Sequence, residues 1–322
     1  MSTASLFRFG PLDRWLHDPD VTEVMVNAGR HVWIERADAA GGTQYVGELE
    51  PGALDAVVER MLAPVGRRLD RANPVVDARL PDGSRMCAVL SPVAVDGTCL
   101  SVRRFAGTVR TVAHFAPPAL HPLLAEVVRR RCNVLVSGAT SSGKTTLLNA
   151  MAAFVGAHER VVTLEDTAEL RLEAPHVLRL ETRPATADGV HAVELDSLVR
   201  AALRLRPDRL IVGEIRGIEA FELVQALSTG HDGSLATMHA NSAADALARL
   251  EALVLRANPG WPLTAVRELV WRSIDVVVHL GRGPSGRRGV RQVIEVAATV
   301  DDAHTVLATN DALVSSLTRA RA

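Results

Sequence analysis

Lysine is almost absent from this chain: of its 36 basic residues only Lys144 is a lysine. Aromatic residues make up 3%, and there are three cysteines in 322 positions. No run of about 18 apolar residues occurs, so any membrane role is expected to be peripheral. The opening MSTASLFRFG has no apolar centre of the secretory-signal kind. Cys87, Cys99 and Cys132 show no metal-ligand spacing, and their odd number suits a reducing, cytoplasmic location. The net charge is −1. With no basic excess and few stacking rings, no stable nucleic-acid binding is expected. Hydrophobic residues are plentiful, at 48%. That supports a sizeable core, and the length points to two domains.

The solitary lysine stands where arginine would not serve. Gly138-Ala139-Thr140-Ser141-Ser142-Gly143-Lys144-Thr145 matches the phosphate-loop pattern G-x-x-x-x-G-K-[ST] at every position. The apolar run 134–137 before it reads as a buried strand, and a helix is expected to run on from Thr146. Glycines let backbone N–H groups turn onto a polyphosphate, and a helix N-terminus adds its positive end. Lys144 is expected to reach the terminal phosphates, and the Thr145 hydroxyl to take a Mg²⁺ ligand position. A compact ammonium enters such a loop, whereas a wide planar guanidinium does not.

The first third reads as a small α+β domain, 1–105. Two period-two runs flank Ala28-Gly29 as a hairpin, and a helix follows over about 51–62. Two Asp-Gly turns, at 82–83 and 96–97, separate three further strand-like runs. In that meander Arg85 opens one strand and Arg103 nearly closes the next, so both are expected at one end of the sheet. Two solvated edge arginines would look the same at this level. Residues 106–120, with Pro117-Pro118, read as a linker, and 121–322 as a doubly wound α/β domain.

In open α/β sheets ligands sit beyond the carboxyl ends of the strands. The strand expected at 161–164 is followed by Glu165, Asp166 and Glu169. The strand at 210–212 is followed by Gly213 and Glu214, and that at 234–237 by His239. Acids are needed to orient or deprotonate water and to fix Mg²⁺ in phosphoryl transfer. Taken singly, Glu169 could instead be a helix N-terminal acid, and His239 a satisfied polar residue.

These residues resemble a known family. HDPDVTEVMVN, LRPDRLIVGEIRG and TGHDGSLATMHANS are similar to segments of the type II and type IV secretion ATPases, most of all the CpaF/TadA-like ATPases of tight-adherence pilus assembly. The resemblance implies a PAS-like first domain, a RecA-like P-loop motor domain and a homohexameric ring. It implies ATP and Mg²⁺ as ligands. The partners would be platform proteins at the cytoplasmic face of the inner membrane. Residues 138–146, through Thr146, become the nucleotide-binding loop. Glu165, Asp166 and Glu169 match the family's acid box, with Glu169 as general base. Glu214 follows as the Walker B acid, with Asp166, Glu165 and Thr145 also on the metal side. His231 and His239 match its histidine box, and Arg85 and Arg103 its phosphate-directed arginines. No zinc is expected, because the four-cysteine element of the type II branch is missing. A conjugation-type ATPase passing DNA or protein fits the same motifs. A non-hydrolysing ATP-binding scaffold would not need the set Lys144, Glu169 and Glu214.

Overall fold

The computed structural model describes residues 9–36, 42–104, 110–140, 142–183, 185, 190–283 and 287–321. Ser141 and residues 106–109 of the expected linker lie outside these. The chain divides into two compact units, Met1–Thr108 and Val109–Ala322.

The first unit contains a six-stranded antiparallel sheet. A short helix α1 (Asp13–Leu16) precedes β1 (Val21–Asn27), β2 (His31–Arg36) and β3 (Gln44–Glu48). Helix α2 (Ala53–Leu62) follows, then β4 (Val75–Arg79), β5 (Arg85–Val89) and β6 (Cys99–Arg103). The spatial order is β3-β2-β1-β6-β5-β4. Alternation decides which face is buried. Val24, Val26, Val32, Ile34, Met86, Ala88, Leu100 and Val102 form one core with Leu54, Val57, Val58, Met61 and Leu62 of α2. The opposite face carries the intervening polar residues. Both Asp-Gly turns are present, and Ser84 N–H donates to Asp82 Oδ1 at 2.9 Å in the first of them.

In the second unit α3 (His121–Arg129) leads into β7 (Val134–Gly138) and α4 (Lys144–Ala152). Next come β8 (Val161–Glu165), β9 (Val177–Glu181), α5 (Leu195–Leu203), β10 (Arg209–Val212), α6 (Glu219–Ser228) and β11 (Leu235–His239). The remainder is α7 (Ala243–Ala257), α8 (Leu263–Ser273), β12 (Val276–Arg282), β13 (Arg288–Glu295), β14 (Thr305–Thr309) and β15 (Ala312–Leu313). The sheet order is β15-β14-β13-β12-β7-β11-β10-β8-β9. Strands β12 through β9 in that order are mutually parallel, and β13 to β15 extend the sheet antiparallel. Strands β7, β8 and β10 are buried along their whole length, as helices on both faces require. Two apolar cores result, one on each face of this sheet.

A linker across 106–120 is not what the structure shows from Val112 onward. Val112, Phe115, Ala116 and Leu120 are buried in the same core as Leu147, Leu148 and Met151 of α4. These apolar side chains outweigh the break signal of Pro117-Pro118, which only sets a short 3-10 turn ahead of α3.

Candidate nucleotide site

Strand β7 lies inside the parallel sheet, flanked by β12 and β11, and the phosphate-loop motif is the turn from β7 into α4. The turn is shaped for close backbone approach. A Cβ on Gly138 would lie 2.6 Å from Ser142 Oγ and 2.7 Å from Leu280 O. Gly143 has φ +94°, and a Cβ there would lie 2.9 Å from the Phe115 ring. Ala139 and Thr140 are exposed, whereas Ser142 and Lys144 are buried and Thr145 and Thr146 half-buried on the first turn of α4.

From Lys144 a line of polar contacts crosses the carboxyl ends of four adjacent strands. Lys144 Nζ donates to Ala139 O at 3.0 Å and meets His239 Nδ1 at 3.2 Å. His239 Nε2 is 2.7 Å from Glu214 Oε1. Arg216 Nη2 bonds the other Glu214 oxygen, and its Nη1 lies 3.6 Å from Asp166 Oδ2. An ammonium can only donate, so His239 Nδ1 accepts and the ring proton sits on Nε2; Glu214 Oε1, although 2.7 Å from Nε2, is buried without a hydrogen-bond partner. Burial, together with the Lys144 charge, lowers the His239 pKa and keeps the ring neutral. Hydrogen bonding to Glu214, with the charges of Glu214, Asp166 and Glu169, raises the Arg216 pKa despite partial burial.

Glu165 is placed differently from the other acids. It is 2% exposed and packs under Gly213, where an added Cβ would lie 2.9 Å from Glu165 Cγ. Its Oε1 accepts from the N–H groups of Glu169 and Leu170 at 2.8 and 2.9 Å. Burial pushes its carboxyl up to about 7 against the pull of those two amides. Glu165 therefore shapes the loop that carries Glu169 instead of standing open on the rim beside Asp166. Glu169 itself lies on irregular chain between β8 and β9, so no helix N-terminus accounts for it. Asn149 of α4 accepts from Arg171 N–H at 2.9 Å and ties that loop to the phosphate-loop helix.

His231 is not part of the rim. It precedes β11, at the opposite end from His239, and its Nδ1 lies 3.1 Å from Ala226 O at the C-terminus of α6. Five residues of extended chain separate the two histidine positions by more than about 13 Å. In the first unit Arg85 and Arg103 are direct cross-strand partners, and Arg79 pairs with Arg85 and Glu23 with Arg103. The two arginines thus share one row at one end of their sheet.

The donor set fits a nucleotide phosphate. Ser142 Oγ is buried without a hydrogen-bond partner, Lys144 aims its amine along the loop, and α4 starts there. Among the described residues no group of three or more His, Cys, Asp or Glu side chains is placed to hold a metal. Mg²⁺ usually takes one or two protein ligands and completes its shell with phosphate and water. Thr145 on the first turn of α4, with Glu214 reached from Lys144 through His239, fits that mode. Arg216 and Asn149 are the members that motif reading missed, since neither falls on a residue the motifs assign.

Known proteins share both sequence and fold. Residues 7–316 match the family described as "Type II/IV secretion system protein". The conjugal transfer protein TrbB of Rhizobium radiobacter is 32% identical over 289 residues, covering 87% of this chain and 85% of that protein. The type IV secretion system protein PtlH of Bordetella pertussis is 33% identical over 322 residues, covering 90% and 94%. The VirB11 ATPase of the Brucella suis type IV secretion system, solved with sulphate, superposes with TM-score 0.50 at 29% identity, covering 88% and 92%. The pilus retraction motor PilT with bound ADP shares the fold at TM-score 0.65 and 20% identity, over 95% and 84%. The α/β architecture is therefore that of these ATPases. These matches support the family but not specifically its CpaF/TadA-like pilus-assembly branch: TrbB and PtlH carry conjugal-transfer and type IV secretion names. On the strength of that match along nearly its whole length, the chain belongs to the Type II/IV secretion system protein family.

Proposed function

We propose that this chain is the ATPase of a conjugation- or type IV secretion-type apparatus, hydrolysing ATP to ADP and phosphate to move DNA or protein substrates. The observation that carries the reading is the contact line Lys144–His239–Glu214–Arg216–Asp166 across the strand ends beside the phosphate loop. The names of TrbB and PtlH support the apparatus class. The working form is a homohexamer at the cytoplasmic face of the inner membrane, docked on membrane components of the apparatus. No helix among the described residues is long and apolar enough to cross a membrane.

In this mechanism Lys144 and the amides of the loop hold the β- and γ-phosphates, with Ser142 Oγ as a further donor. Thr145, Asp166 and Glu214 would hold Mg²⁺, which when bound neutralises phosphate charge. Glu169 takes the proton of the attacking water as the bond from γ-phosphorus to the leaving oxygen breaks. His239 Nδ1 accepts from Lys144 and sets the ring beside Glu214. Arg85 and Arg103 stabilise charge developing on the transferred group.

Steady-state ATP hydrolysis with fluorescent-nucleotide binding tests this directly. Glu169→Gln is expected to bind ATP as the wild type does and to lose turnover. Wild-type turnover would remove Glu169 from the base role. In cells, an allele carrying Glu169→Gln should abolish substrate transfer while leaving surface pilin assembly intact. Loss of pilin assembly instead would favour the tight-adherence reading.

A further inference from the structure

Arg216 occupies an unusual place for a half-exposed arginine. Its guanidinium touches Glu214 and approaches Asp166, two acids that the proposed mechanism assigns to the cation. Its backbone is clamped independently of those contacts. Glu219 Oε1, 7% exposed at the start of α6, accepts from Arg216 N–H at 2.5 Å and from Gly217 N–H at 2.7 Å. Ile215 N–H donates to Thr237 O at 2.8 Å, which pins the preceding residue to β11. A fixed backbone carries a side chain that is 53% exposed and can rotate outward to water. Glu214 by contrast is only 16% exposed, with His239 Nε2 beside its Oε1.

The charges of Glu214, Asp166 and Glu169 all act on Arg216, and like charges gathered around one point repel. The guanidinium answers that repulsion. A divalent cation bound to the same oxygens would then face a positive charge at contact distance, an unfavourable arrangement in a partly buried site.

We propose that Arg216 is a resident counter-cation: it holds Glu214 and Asp166 together in the nucleotide-free chain and must be displaced when the divalent cation enters with the nucleotide. This rests on the reading of residues 138–145 as a nucleotide site. Arg216 is thereby a positioning residue, setting how much cation is needed to assemble the site. An arginine in place nine-tenths of the time lowers the apparent cation affinity about tenfold, because only the open fraction is competent to bind.

The experiment measures Mn²⁺ binding by the electron-spin resonance of the free ion, in the full chain with a non-hydrolysable ATP analogue. Arg216→Gln is expected to tighten Mn²⁺ binding about tenfold. Arg216→Lys keeps the charge but not the forked reach to two carboxylates, and is expected to fall between. Arg249→Gln, which removes a charge whose field reaches His239, is the control and should stay within about twofold of wild type. Equal tightening in Arg216→Gln and Arg249→Gln would reduce the effect to general field and overturn the inference. So would weaker Mn²⁺ binding in Arg216→Gln, or Arg216→Lys matching wild type. Thermal melts of each variant separate these outcomes from misfolding. Binding of a fluorescent ADP to wild type in EDTA tests the underlying site reading by itself. Its failure removes the nucleotide site, whereas binding with unaltered Mn²⁺ affinity in Arg216→Gln removes only the role of Arg216.

Discussion

The parallel sheet of the second unit carries arginine–carboxylate clusters at both ends of its strands, and the two ends use that chemistry differently. At the amino end of the strands, Arg209 is 2% exposed and makes four hydrogen bonds, two to Glu159 and one each to Val128 O and Gly233 O. Asp275, also 2% exposed, accepts from Asn133 N–H and from the guanidinium groups of Arg319 and Arg321. At the carboxyl end Arg216 and Asp166 stand half-exposed, and Ser142 Oγ and Glu165 Oε2 are buried without partners. The amino end is nearly saturated from within the chain, with Arg131 Nε, beside Glu159, left buried without a partner. The other leaves donors and acceptors unspent, so a ligand has something to bind. Charge pairing alone does not separate a structural cluster from a functional one; satisfaction does.

Breaking the nearly saturated end should cost stability most. Arg209→Ala leaves Glu159 buried with its main partner gone, at about 3–5 kcal/mol, read from denaturant midpoints. A wild-type midpoint would mean that water reaches Glu159 and that the two ends are alike. At the other end Lys144→Ala should lower turnover by about 10³-fold with an unchanged midpoint, since the site and not the core depends on that amine. If the variant unfolds instead, the open end also holds the fold together.

The first unit sharpens the contrast. Arg85 and Arg103 are direct cross-strand partners at one end of the sheet, and Glu23 stands opposite Arg103 on its other side. Substituting either by Ala should cut turnover at least about a hundredfold while the unit keeps its melting temperature. Full turnover would make them edge arginines. The smallest effect concerns the strap at 318–321. Cys132 Sγ is 3.6 Å from Arg319 O, and burial pushes the thiol up to about 12. Arg319→Ala should speed alkylation of Cys132 several-fold, measured by mass spectrometry against the more accessible Cys99. Unchanged labelling would detach the strap from the saturated cluster.

Much of this was legible in the residues. The phosphate loop, its flanking strand and helix, and the ends of β8, β10 and β11 follow from short apolar runs punctuated by Gly and polar groups. Strands β3, β9, β13, β14 and β15 were not, because they are edge or antiparallel strands whose alternation is broken by charged residues or too short to register. The linker reading failed for a related reason. Val112, Phe115 and Leu120 are spaced too irregularly to announce a buried segment, and only the neighbouring α4 gives them a surface to cover.

By itself the sequence determined that a phosphate-loop motif spans 138–145 between a strand and a helix and that acids and His239 follow the next strands, since each rests on local chain geometry. Which of them face one another was decided by tertiary structure. Glu165 and Asp166 are adjacent in sequence, yet one is buried under Gly213 and the other is open on the rim. His231 and His239 share one strand's neighbourhood and stand at its two ends. Arg216 enters the acid cluster only because β10 lies between β8 and β11 in the sheet. Strand order is set by long-range packing and not by any local signal, so the contact line across four strand ends had no counterpart in the order of the letters.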